Sequence, residues 1–514
     1  MPTHRYLIGV DLGTSSTKAG LYRTDGSLVA EAVAEVPILY PKSGVVEQEN
    51  EDFYQTASET VRTVIEQSGI EPRDIAAIAF DSQMAGVGSI NEDFKPATRF
   101  DSWLDMRCEP YIDYLSKNHR DRITELTGCA PTCDHGPKMM WWKNERPELY
   151  ANVAKFVMPS TFVAGKMVGL RAEDAFIDHT FLHFTTLADA SKGEWSDELI
   201  EILGLSRDKL PRIVEPWYIV GEVTDAAAKQ FGLAPGTPVA AGCGDTAAGA
   251  LGAGVVRPGM VFDVAGTAAV LAASTDTFVS DVKHHALLTM RSVIPDLWHP
   301  LAYIAGGGQA IVWYRDQFFN ALRGESQVSE DDVFLAMAQY AESAPAGAEG
   351  LFFSPHLGGR ICPATPEMRG AWVGFSLGHT QAHFSRSVLE SIAYEYAFYL
   401  SALRDAIPGL QLHETRVIGG GARSDFWNQI KADVLRVSYQ RLNRTEFGTW
   451  GAAMIAGKAV GIYDDLAEVA MKHAQPAGDP FVPDPEHEAV YDQIVSQYIR
   501  LQTTLTDTFD WLHK

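Results

Sequence analysis

The 514-residue chain has only five cysteines, Cys108, Cys129, Cys133, Cys243 and Cys362. An odd number scattered over such a length excludes a disulfide framework and points to reduced thiols. Positive charge is also in short supply: 42 Lys and Arg against 66 Asp and Glu leave a formal net charge of −24. That balance repels polyphosphate backbones and anionic bilayers, so neither nucleic acid nor membrane is expected as a partner. A nucleotide is still admissible, because Mg²⁺ and local backbone amides can neutralise a triphosphate inside an acidic protein. No apolar run reaches the roughly 18 residues that cross a bilayer, and the first residues show no secretory leader pattern, so the expected location is the cytoplasm. The P-loop GxxxxGK[ST] and the dinucleotide fingerprint GxGxxG are absent. Cys129, Cys133 and His135 make only part of a zinc set, and His179 with His183 lack the glutamate of a zincin. Trp141 and Trp142 read as packing residues.

What is present describes an ordinary enzyme. The length exceeds what one hydrophobic core supports, which predicts two large domains. The opening RYLIGVDLGTSSTKAGLYRTDGSLVAEAVAEV reads as an antiparallel meander with an Asp25-Gly26 turn. An amphipathic helix follows over about residues 51–67, with Asn50 as its expected cap and Phe53, Ala57, Val61, Val64 and Ile65 on one face. Next comes IAAIAFD, Ile75 to Asp81, an apolar run suited to a sheet covered on both sides. Met260 to Ser274 repeats the layout of Leu7 to Tyr22, which suggests a duplicated α/β unit. The domains are expected at 1–254 and 255–514. Later, a strand, a glycine turn and a helix capped by Ser424 occupy the region from Thr415 to Leu435. A last helix over about 486–505 carries Tyr491, Ile494, Val495, Tyr498 and Leu501 as its stripe, with a docking site that the pattern does not reveal.

Three segments can carry chemistry. In DLGTSSTK, Asp11 ends a strand, Gly13 allows close approach of a ligand, and Thr14, Ser15 and Lys18 offer donors to phosphate. Asp11 suits hydrated Mg²⁺, which takes one or two carboxylates plus substrate phosphates; the plainer alternative is a hairpin turn satisfying its own backbone. In GCGDTAAGA, Asp245 lies where a strand hands over to a helix, a place for a general base or simply for a cap. In GGGARSDFWNQ, glycines permit a flat ligand to lie on the backbone, although such turns are common.

Together these segments resemble the FGGY family of carbohydrate kinases over nearly the whole chain. Gly370, Gly374, Phe375, His383, Phe384, Ser387 and Glu390 stand at the spacing of its C-terminal signature, and Lys138, Met139, Trp141, Asn144 and Glu145 fit the N-terminal one. Trp142 and His135 depart from it. The resemblance implies an α/β fold of two actin-like (ribonuclease H-like) lobes with a cleft between them, ATP with Mg²⁺, and phosphoryl transfer to a sugar or polyol hydroxyl. It places Asp245 on the catalytic base and Asp11, with Asp245, on the Mg²⁺ partners. Gly13, Thr14, Ser15 and Lys18 fall on the first phosphate loop, Gly266 and Thr267 on the second, Gly308 on a further nucleotide contact, and Gly421, Ala422, Asp425 and Asn428 on the adenosine segment. Gln83, Met84, Trp103, Asp105 and Arg107 fall on sugar-binding loops closest in type to those of xylulokinases, so a pentulose such as xylulose is the expected acceptor. Ala85 and Leu104 replace the His and Asn usual there, which leaves ribulose, a pentitol, erythritol or glycerol as alternatives. An actin-like ATPase of another kind, or a sugar-binding homologue without turnover, is the reading from a different class. A homodimer is possible by family analogy.

Overall fold

A computed structural model describes residues 5–266, 268–319 and 330–512. The opening meander forms from strands Tyr6–Leu12, Ser16–Arg23 and Leu28–Glu35, paired antiparallel. Helix Asn50–Ser68 follows, burying Phe53, Ala57, Val61, Val64 and Ile65 and ending at Gly69 with φ 65°, a left-handed angle that suits glycine. Asn50 is not its cap. Glu49 takes that place, and the buried Asn50 amide donates instead to the Thr98 carbonyl at 2.8 Å, since a buried donor must find an acceptor.

The apolar run becomes the fully buried strand Ile75–Ser82, parallel to Tyr6–Leu12. With Pro238–Ala240, Ile219–Glu222 and the short Cys243–Gly244 it completes a seven-stranded sheet. A second sheet of six strands runs in the order Leu288–Arg291, Trp298–Ile304, Ala269–Ala273, Met260–Ala265, Glu414–Ile418, Ser438–Arg441. Both sheets share one unit: the first strand of a hairpin, Tyr6–Leu12 or Met260–Ala265, is flanked on its other side by a parallel strand. The repeated layout seen around Asp11 and Asp263 thus has a topological counterpart.

The sheet-forming segments lie on either side of Gly254, but the packing crosses that line. Helix Gly448–Ala459, made after the second sheet is complete, lies on strands Tyr6–Leu12 and Ile75–Ser82 and on helix Asp245–Gly252. Small residues allow the approach: a Cβ on Gly9 would stand 1.8 Å from the Thr449 carbonyl oxygen, and one on Gly451 2.1 Å from that of Ala248. Trp450 packs on Tyr22 with ring centres 5.1 Å apart, and the Tyr22 and Thr449 hydroxyls meet at 2.7 Å. Among the described residues no helix is long and apolar enough to cross a membrane. All five cysteines are free thiols.

The last helix, Glu488–Leu512, docks on Gln381–Ala406 through buried polar pairs as well as its apolar stripe. Tyr491 donates to Glu390 at 2.8 Å, and that carboxylate also accepts from Arg386 at 2.7 Å, Tyr394 at 2.8 Å and the Gly347 amide at 2.9 Å. Two turns on, Tyr498 donates to Glu395 at 2.8 Å, beside Arg360 at 2.9 Å. Burial alone would lift Glu395, but Arg360 and His356 beside it bring its carboxyl down to about 2. A buried acceptor stripped of one donor costs about 1–3 kcal/mol. Tyr491→Phe and Tyr498→Phe should therefore each lower the calorimetric unfolding temperature while far-ultraviolet circular dichroism stays unchanged. Unaltered temperatures for both variants would show that these bonds do not hold the helix.

Candidate active site

Three neighbouring strand ends build the site. In-register pairing sets Asp11 beside Asp81, and sets Cys243 and Gly244 beside Asp81 and Ser82, so that Asp245 follows at the same edge. Ligands of open α/β sheets gather beyond such carboxyl ends. Gly244 occupies the cap position of helix Asp245–Gly252, which places Asp245 in the first turn rather than at the cap. Asp245 Oδ1 accepts the Thr246 amide at 2.6 Å and the Thr246 hydroxyl at 3.1 Å. Burial, and next the charge of Asp11, push the Asp245 carboxyl up to about 7. Asp11 is raised as well, chiefly by burial and against the pull of Asp81 and Lys18.

Asp81 was not among the residues singled out in the sequence, where it merely closed an apolar run. It is 0% exposed, and neither of its carboxylate oxygens accepts from an N–H or hydroxyl donor; its one side-chain partner is the Asp11 carboxyl. Burial, then the charges of Asp11 and Asp245, raise it well above the usual carboxylate range. The counterpart of Asp11 in the second sheet is treated differently. Asp263 accepts from Tyr396 at 2.9 Å and pairs with the buried Lys431 ammonium.

The first loop is tied to the residues expected on the sugar side. Thr14 accepts the indole N–H of Trp103 at 2.9 Å through its hydroxyl and the Gln48 amide at 2.9 Å through its carbonyl. Gln83 in turn donates to Gln48 Oε1 at 2.9 Å and accepts from the Thr14 hydroxyl at 3.4 Å. Gln83 is buried and its amide is engaged on both ends, so it holds the loop. Gly13 closes the turn by donating to Ser16 at 3.1 Å, which leaves Thr14 and Ser15 at its tip, and Lys18 stands 3.8 Å from Glu446. Asp105 and Arg107 bond each other at 2.7 Å; Asp105 also accepts the Val46 amide at 2.7 Å, and Arg107 reaches Glu47 at 2.7 Å. Both Asp105 oxygens are thereby used, so this pair anchors the loop that carries Trp103.

Around Asp245 the walls are less polar. Met84 packs against Gly244, its sulfur 2.6 Å from where a Cβ would stand. Tyr303, on strand Trp298–Ile304 of the second sheet, meets Trp103 edge-on with ring centres 6.2 Å apart, and its hydroxyl is buried without a partner. An aromatic in a distant strand gives no signal in sequence that it faces the other lobe. His135 and His183 are buried with no partner on any ring nitrogen, and burial pushes both down to about 3, which keeps them neutral. The buried Lys138 ammonium is held by the carbonyls of Ala85 and Cys133.

On the nucleotide side, Thr267 lies outside the described residues. Gly419, with φ 86°, touches the segment before it: a Cβ there would stand 2.8 Å from the Ala265 oxygen and 3.4 Å from the Gly266 nitrogen. A Cβ on Gly421 would overlap the Trp427 ring at 2.3 Å. The Ala422 carbonyl accepts from Asn428 Nδ2 at 2.8 Å, while Asn428 Oδ1 is buried and unpartnered. Gly266, Gly421, Ala422 and Asn428 are thus brought together. Asp425 turns outward to an exposed ion pair with Arg441 at 2.8 Å. Gly308 lies in the first turn of helix Gly307–Phe318, whose start packs on Ala269.

Among the described residues no three His, Cys, Asp or Glu side chains form a group able to hold a metal ion. Mg²⁺ needs no such cage, since one or two carboxylates with waters and substrate oxygens suffice. The buried Asp11 carboxyl fits that demand, and Gly448 leaves room beside it: the position of its missing Cβ is 3.6 Å from an oxygen of Asp11 and from one of Asp81.

A carboxyl raised by folding favours the folded protein below its unfolded value and loses that contribution as pH rises through the folded value. Asp81 therefore costs stability at neutral and alkaline pH. In EDTA, Asp81→Asn should melt at a higher temperature than wild type at pH 8, with the gap closing toward pH 4. A gap independent of pH would contradict this origin.

Residues 6–252 match the N-terminal domain, and residues 262–460 the C-terminal domain, of the FGGY family of carbohydrate kinases. Xylulose kinase of Bacillus subtilis (strain 168) is 28% identical over 505 residues, covering 98% of each chain. Gluconokinase of the same organism is 25% identical over 469 residues, covering 90% of each. The crystal structure of ligand-bound xylulose kinase from Lactobacillus acidophilus superposes with a TM-score of 0.89 at 23% identity, covering 99% of each chain, which fixes the fold as two actin-like lobes. With both family domains matched in order along one chain, this protein belongs to the FGGY family of carbohydrate kinases.

Proposed function

We propose that the protein transfers the γ-phosphoryl group of ATP to a hydroxyl of a neutral pentulose of the xylulose type, with Asp245 as general base. The observation that carries the reading is the placement of Asp245: a carboxyl raised to about 7, in the first turn of a helix at the strand edge. Thr246 holds Oδ1 on two bonds, leaving Oδ2 for the hydroxyl of the acceptor. A base of that pKa is matched to neutral pH, a contribution of about 10²- to 10⁴-fold in rate.

Phosphoryl transfer asks little covalent chemistry of the protein; alignment and charge neutralisation govern it. Thr14, Ser15 and Lys18 present donors to the phosphates, with Gly13 letting the backbone close in. Gly266 supplies the second loop, Gly308 a flanking contact, and Gly421 and Ala422 the surface for adenine. The free Asn428 Oδ1 suits an exocyclic amine. Bound Mg²⁺ would neutralise charge on the terminal phosphates, and Asp11 and Asp245 are the residues that would hold it. Closure of the lobes excludes water as a competing acceptor.

Neutrality of the acceptor is supported by the walls of the site. Met84, packed against Gly244, and Tyr303, with its unpartnered hydroxyl, are both uncharged. A carboxylate of an aldonate would go unpaired there, which favours the xylulose-type reading over the gluconate-type one.

Purified protein should release ADP with D-xylulose or a related ketose or pentitol, and less with gluconate. Flat ADP release across that panel would defeat the kinase reading. Asp245→Ala should abolish the response while ATP still binds. In wild type, kcat/KM for the sugar should rise with pH through about 7 as Asp245 loses its proton; a profile level from pH 5 to 9 would remove Asp245 from that role. Tyr303→Phe should raise KM for the sugar by about tenfold, the size of one lost hydrogen bond, and leave KM for ATP unchanged.

A further inference from the structure

The transfer described above makes no use of Asp81. Its carboxylate is wholly buried, no N–H or hydroxyl donates to either oxygen, and its only side-chain partner is the neighbouring Asp11 carboxyl. Strand register sets it beside Asp11, and one point, the vacant Cβ position of Gly448, lies 3.6 Å from an oxygen of each. The two side chains therefore share one small space beneath the first turn of helix Gly448–Ala459.

Three other buried carboxylates are satisfied by protein groups. Asp263 has Lys431 and Tyr396, Glu390 has Arg386, Tyr394 and Tyr491, and Glu395 has Arg360 and Tyr498. Around Asp11 and Asp81 the charged neighbours are Lys18, Glu446 and Asp245, and Lys18 already pairs with Glu446. Two buried carboxyls that have only each other must share a proton or meet a cation. Two carboxylates with no nitrogen or sulfur donor form a hard oxygen set, which selects Mg²⁺ or Mn²⁺ over zinc.

We propose that Asp81 and Asp11 together hold a divalent cation in the nucleotide-free enzyme, so that metal binds before ATP and not only as its companion. The inference deepens the kinase reading, yet its test requires neither sugar nor turnover. Full-length, nucleotide-free protein is titrated with Mn²⁺, and the free ion is followed by electron paramagnetic resonance. One Mn²⁺ per chain, displaced by Mg²⁺, is the expected result. Asp81→Asn and Asp81→Ser should each weaken it by more than about tenfold, since even the loss of an outer-shell partner has that effect. Calorimetry identifies any variant that fails to fold, in which case the other variant decides. Absence of Mn²⁺ binding by wild type without nucleotide would overturn the proposal. So would weak binding of many ions that Asp81→Asn leaves unchanged, the behaviour of an acidic surface. If the kinase reading itself fails, the sugar panel stays flat while the Mn²⁺ titration retains its single site.

Discussion

Parallel, in-register pairing among strands Tyr6–Leu12, Ile75–Ser82 and Cys243–Gly244 brings three carboxyl ends to one edge, and Asp11, Asp81 and Asp245 come with them. Burial raises all three carboxyls, and the charge of Asp11 adds to the rise at Asp81 and Asp245. Helices Asp245–Gly252 and Gly448–Ala459 begin at that edge, where their N-terminal partial charge offsets some of the repulsion. The remainder is stability given up for chemistry, as active sites commonly show.

A second consequence concerns the two ligands. Thr14, at the tip of the phosphate loop, is bonded to Trp103 and, through Gln48, to Gln83. Residues read from sequence as sugar contacts thus hold the loop that grips the nucleotide. Asp105 and Arg107 serve the same end one step further out, by fixing the Trp103 loop from below. A ligand that shifts Trp103 necessarily shifts Thr14, and such coupling acts equally in both directions.

Much of this was legible in the residues. Alternating and continuous apolar runs located the meander, the buried strand and the helix after it, because local periodicity decides such elements. The cap at Ser424 was legible too, its hydroxyl accepting the Trp427 amide. Long-range consequences were not. Asn50 looked like a cap until the Thr98 carbonyl competed for its amide, and Asp81 looked like the end of a strand. Nothing local says that Tyr303 faces Trp103, or on which sheet helix Gly448–Ala459 lies. The spacing of the C-terminal signature pointed to kinship, and the structure supplies a physical reason for part of it: His383 completes the capping box of helix Gln381–Ala406, and Glu390 receives the last helix.

Helix Gly448–Ala459 covers strand Tyr6–Leu12, made more than four hundred residues earlier. On the ribosome, chain emerges from the N-terminus onward. The first sheet then waits, one apolar face bare, while the second sheet is synthesised, and the mouth of the cleft stays open until the closing helix arrives. Glu390 and Glu395 wait longer still, for Tyr491 and Tyr498, made 101 and 103 residues after them. A chain stopped before residue 448 would therefore carry two unfinished lobes, exposed to chaperones and proteases alike.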